Sequence, residues 1–138
     1  MQKAKDERTI YFPEGILGFG EFHEYLPIPM SEEDDGVINL QSAEDENLSF
    51  VIMNPFFLKE DYNPQILKSD YKKLGTTSEE DLSYYVICVV REPVGESTIN
   101  LKCPIVVNIK NRKALQVILE DEQYAMRHLL KEFKKKGD

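Results

Sequence analysis

Two apolar, β-branched runs, Ile105-Val106-Val107-Asn108-Ile109 and Leu115-Gln116-Val117-Ile118-Leu119, flank a charged turn at Lys110-Asn111-Arg112-Lys113. Val and Ile suit a half-buried pleated surface and Asn enters the turns that join strands, so this segment predicts a β-hairpin. Residues 37–42 and 48–53 predict a second hairpin. Residues 9–12 read as a strand stopped by Pro13, and residues 24–30 as another, where Pro27 and Pro29 imply an edge or irregular strand. The apolar run 83–92 pairs naturally with residues 97–101 across Pro93-Val94-Gly95. Short helices are expected at 69–74 and 78–82, the second with Ser78 as its cap and Glu79, Glu80 and Asp81 in its first turn. From Glu122 onward Tyr124, His128, Leu129 and Phe133 recur at helical spacing and predict a C-terminal helix. The expected fold is mainly β: a small closed or partly open antiparallel β-barrel with two or three short helices. One domain should span residues 1–138, with a flexible leader at 1–8 and a basic tail at 131–138.

Composition narrows the function classes. A net charge of −8 and a pI near 4.8 argue against duplex nucleic acid as the main partner, since phosphate binding needs a basic face. Lys131, Lys134, Lys135 and Lys136 crowd the last residues, so the body is more acidic than the total. No apolar run approaches the ~20 residues that span a bilayer, and the charged N-terminus lacks the apolar core of a signal peptide. Cys88 and Cys103 lie in strand-like runs and read as buried free thiols. These features point to the cytoplasm and to no membrane partner.

Candidate chemistry is thin. Cys88 or Cys103 with His23 or His128 could form a thiolate nucleophile, but a catalytic cysteine sits exposed in an electropositive setting. The acidic clusters at 32–35, 44–46 and 120–122 lack the alternating ligands and fixed glycine of a calcium loop. Gly15, Gly18 and Gly20 do not have dinucleotide-loop spacing and read as turn glycines. The chain is therefore expected to be no enzyme and to need no cofactor or metal. Tyr84, Tyr85 and Phe50 have no basic neighbours in their strands, which favours packing over base stacking. The Lys110–Lys113 turn and the basic tail leave a small nucleic-acid-binding barrel as the alternative function. Phe56 and Phe57, after Asn54-Pro55 and before Lys59-Glu60-Asp61, either anchor a protein interface or plug the end of the barrel.

Three blocks together resemble the FliW family of bacterial flagellar assembly factors: Phe12-Pro13-Glu14-Gly15-Ile16-Leu17-Gly18-Phe19; Leu40-Gln41-Ser42-Ala43-Glu44-Asp45 with Phe50-Val51-Ile52-Met53-Asn54-Pro55; and Asn100-Leu101-Lys102-Cys103-Pro104-Ile105-Val106-Val107-Asn108 with Asn111-Arg112-Lys113 and Gln116-Val117-Ile118-Leu119. Cys103 stands where the family usually has Ala or Gly, and Leu129 where a proline is common, which makes a longer C-terminal helix easier. The resemblance implies a non-enzymatic switch that binds cytoplasmic flagellin and, when free, captures the RNA-binding translational regulator CsrA, lifting repression of flagellin synthesis. Such a protein would contact no nucleic acid directly and would be a monomer when free. On physical grounds the binding surface is expected at Phe56, Phe57, Asp61 and Tyr62, with Glu120 and Asp121 as acidic contacts.

Overall fold

The computed structural model describes residues 7–30 and 36–133. Nine strands and one α-helix follow in the order β1 (Ile10–Tyr11), β2 (Glu24–Pro29), β3 (Val37–Ser42), β4 (Ser49–Met53), α1 (Lys68–Leu74), β5 (Leu82–Val89), β6 (Thr98–Ile99), β7 (Ile105–Asn108), β8 (Ala114–Gln116) and β9 (His128–Leu129). Strands β1 to β4 form an antiparallel meander, with Ile10 opposite Tyr25, Tyr25 opposite Ser42 and Ile38 opposite Ile52.

Strand β2 shows how its prolines are accommodated. Glu24 O accepts from Ala43 N and Met30 N donates to Val37 O, so the even-numbered residues bond toward β3. Pro27 and Pro29 fall on the other set. Their missing N–H groups therefore point toward the side that β1 covers only as far as Tyr25.

Strand β5 divides the molecule. Residues Leu82 to Tyr85 pair with β7, whereas Cys88 and Val89 pair with β6, and β6 in turn pairs with β9. All four residues of β7 are buried because both its faces are covered. Ile105 and Val107 enter a core with Phe12, Ile16, Tyr25, Leu40 and Ile52, while Val106 enters another with Leu74, Leu82, Leu115 and Val117. The β7–β8 hairpin forms as expected, although Arg112 supplies the left-handed turn residue, with φ of 64°.

Three expectations are corrected. The sheet does not close into a barrel. β1 approaches the hairpin through an isolated parallel bridge, Tyr11 to Lys113, with Tyr11 N donating to Arg112 O over 2.9 Å. Pro13 then ends β1 before a ladder can develop. The helix expected at 78–82 is a single 3₁₀ turn, Glu79–Asp81, capped by the Ser78 hydroxyl, which accepts from Glu80 N at 3.3 Å. That leaves α1 as the one α-helix among the described residues, with 3₁₀ turns also at Pro55–Phe57, Val94–Glu96 and Leu130–Phe133. Asp70 accepts from Leu67 N at the start of α1, and Gly75, at φ 77°, ends it.

The C-terminal helix is also absent from the described residues. The backbone there is tied to other segments: Lys102 N donates to Ala125 O and Leu130 N to Ser97 O, with a 3₁₀ turn at Leu130–Phe133. Tyr124 is buried while His128 and Leu129 form β9, so the helical spacing serves separate packing sites. Glu32 to Asp35 and Lys134 to Lys136 lie outside the described residues, as does most of the leader.

Candidate functional site

The segment between β4 and α1 packs against residues 117–127, and an aromatic seam joins them. Asn54 starts a 3₁₀ turn by accepting from Phe56 N at 2.9 Å, with Pro55 at the first position, where no N–H is needed. Three residues per turn separate neighbouring side chains by about 120°. Phe56 therefore points inward, its ring 5.8 Å from Tyr62 and 5.9 Å from Tyr84, and Phe57 points outward with 67% of its surface exposed.

Tyr62 is the correction among the expected contacts. It is 4% exposed, and its hydroxyl donates to Leu101 O at 2.7 Å. Burial holds its phenol far above the usual range. Its ring meets Tyr124 edge-on at 4.8 Å, and the Tyr124 hydroxyl accepts from Asn63 N at 2.9 Å. Tyr62 thus supports the surface from beneath and does not face a partner.

Several carboxylates stand among the exposed polar groups around this seam. Asp61 pairs with Lys59 at 3.0 Å, and that ammonium holds its carboxyl below the usual range. Asp121 accepts from Gln123 Nε2 at 2.8 Å and Gln123 N at 3.0 Å, which lowers its pKa likewise. Glu120 and Asp121 line a cleft of about 240 Å³ with Leu67 and Ile118. Sequence reasoning missed those two exposed apolar residues. The available signal was alternation, since Ile118 lies between buried Val117 and Leu119. A second hollow, of about 450 Å³, lies at the other side of the Pro55–Phe57 turn and is lined by Met53, Leu58, Gly95, Leu130, Lys131 and Phe133.

The candidate catalytic groups are used structurally. Cys88 and Cys103 are buried free thiols whose pKa values are raised by burial. His23 Nδ1 bonds the Phe12 carbonyl at 2.9 Å, and His128 Nε2 accepts from Ala125 N at 2.8 Å. Among the described residues no three His, Cys, Asp or Glu side chains are placed to hold a metal ion. The basic hairpin tip is tied down: Lys110 pairs with Asp81 at 3.3 Å, and Asn111 Nδ2 donates to Leu74 O at 3.1 Å. No described helix is long and apolar enough to cross a membrane.

Such a surface, an exposed aromatic and carboxylates on a buried aromatic seam, suits protein recognition. Residues 1–130 match the FliW protein family. The chain belongs to the FliW family. It is 40% identical over 130 residues to the flagellar assembly factor FliW of Alkaliphilus metalliredigens, covering 94% of this chain and 80% of that protein. Against the flagellar assembly factor FliW of Bacillus subtilis the identity is 37% over 124 residues, covering 90% and 86%. A crystal structure of the flagellar assembly factor FliW superposes with a TM-score of 0.86 at 31% identity, covering 98% of this chain and 92% of that one. The FliW match thus extends through the open β-sheet and through both segments that form the aromatic seam. These relatives are named as flagellar assembly factors.

Proposed function

We propose that this FliW-family chain is a protein-binding switch: it holds flagellin in the cytoplasm and, when flagellin is exported, captures CsrA and relieves repression of flagellin synthesis. Exposed Phe57 beside the Lys59–Asp61 pair, facing solvent above buried Tyr62, carries the reading. An aromatic held on a 3₁₀ turn loses little entropy on docking, and neighbouring carboxylates steer a basic partner. Glu120 and Asp121 extend the acidic rim, with Leu67 and Ile118 supplying apolar area between. Two ligands drawing on one limiting protein then respond to each other by mass action.

A pull-down with the Phe57→Ala, Asp61→Lys double variant tests the placement. Both side chains are exposed, so folding should be unchanged while retention of flagellin and CsrA falls. Full retention of both partners by the folded variant would remove this surface from the account.

A further inference from the structure

The C-terminal strap occupies ground that a partner could use. Strand β9 is held to β6 by two residue pairs, Thr98 with Leu129 and Ile99 with His128. Beyond it Leu130 N donates to Ser97 O at 2.7 Å, and Leu130 and Phe133 pack on the same buried cluster as Met53 and Leu58, the four lining one hollow. Lys131 fastens the turn to Glu96 at 2.8 Å, with both side chains about half exposed. Phe56 and Leu58, on either side of Phe57, pack with the same group, so the shelf continues from the proposed binding surface.

We propose that His128–Phe133 is a displaceable strap, and that the shelf and β6 edge beneath it receive an amphipathic segment of flagellin. The strap displays the chemistry the site selects: an extended pair that adds to the β6 edge, then a turn with apolar residues three apart and a cation facing Glu96. A short strap on a sheet edge opens far more readily than the core. A partner segment with the same pattern competes with it, and the closed population lowers the apparent affinity in proportion. The inference rests on the proposed flagellin-binding reading and adds the segment that regulates it.

A reversible lock tests it. A Cβ built on Gly95 lies 3.5 Å from Lys131 Cβ, at the short end of disulfide geometry. In the full chain carrying Gly95→Cys and Lys131→Cys, oxidation should pin the strap without touching Phe57 or Asp61. Oxidised protein should bind purified flagellin at least roughly tenfold more weakly than the same sample after reduction. Equal affinity in the two states would overturn the proposal. Hydrogen exchange on the unmodified chain decides strap opening without any partner. The Leu130 amide should exchange roughly a hundredfold faster than the buried-hairpin amide of Asn108, which donates to Lys113 O. Equal protection at the two amides would show that the strap opens only with the whole fold, and would overturn the proposal. If neither redox state binds flagellin, the partner reading falls, while exchange still decides the strap.

Discussion

Tyr62 and Tyr124 meet edge to face, with ring centroids 4.8 Å apart, and each hydroxyl is spent on the backbone of another segment: Tyr62 on Leu101 O and Tyr124 on Asn63 N. This pair sets the β4–α1 segment against residues 117–127 and so holds Phe57 and Asp61 on the same scaffold as Glu120 and Asp121. Tyr62→Phe and Tyr124→Phe each strand one partly or fully buried backbone group and should cost about 1–2 kcal/mol in urea unfolding. Tyr62→Ala should cost about 3–5 kcal/mol by adding a cavity. A double cycle of the two phenylalanine variants should be non-additive, as expected of side chains in contact.

Stability and binding should separate. Phe57→Ala removes an exposed ring and should shift stability by no more than about 0.5 kcal/mol, while weakening partner binding in calorimetry by about 2 kcal/mol or more. A Phe57→Ala variant that unfolds earlier but binds normally would place the ring in the core instead.

Much of the sheet was legible. Apolar runs marked both hairpins, Pro13 stands just past the end of β1, and Ser78 caps the turn that follows it. Tyr62 was misread as a contact because nothing near it in the chain shows that Leu101 and Tyr124 will enclose it. Phe56 and Phe57 divide between the two alternatives in exposure, Phe56 turned inward and Phe57 outward, since a 3₁₀ turn points neighbours apart. The C-terminal spacing misled because Lys102 N holds Ala125 O and the β6 edge takes His128 and Leu129 as a strand.

Tyr25 is fully buried, and its hydroxyl has no hydrogen-bond partner among the described residues. Tyr25→Phe should therefore raise stability, by about 1 kcal/mol in urea unfolding. Burial first, then the Glu44 charge, pushes its phenol up to about 12, and burial does the same at Tyr84. The folded chain keeps these protons where the unfolded chain, at its ordinary value near 10, releases them. Stability is thus whole below pH 10 and should fall as pH rises from 10 to 12. Tyr25→Phe should make that alkaline slope shallower.

Asn108 joins the hairpin to the helix. Its Nδ2 donates to Leu74 O at 2.8 Å and its Oδ1 accepts from Lys110 N at 2.9 Å, while the residue is 2% exposed. Asn108→Leu strands Lys110 N and leaves Leu74 O to Asn111 Nδ2 alone, and should cost about 1–3 kcal/mol in urea unfolding. A neutral result would show that the hairpin tip does not need its tie to α1.

Cys88 and Cys103 should react slowly with alkylating reagents in the native chain and quickly after unfolding, because burial both raises their pKa and blocks access. Fast native labelling of either would reopen the thiol chemistry.

The central claim, that one folded chain answers to two proteins in alternation, is tested most directly by calorimetry with CsrA titrated into this chain alone and into the same chain saturated with flagellin. The expected result is clear binding in the first titration and strongly weakened binding in the second. Undiminished CsrA affinity in the presence of saturating flagellin, or no binding of CsrA in either titration, would contradict it.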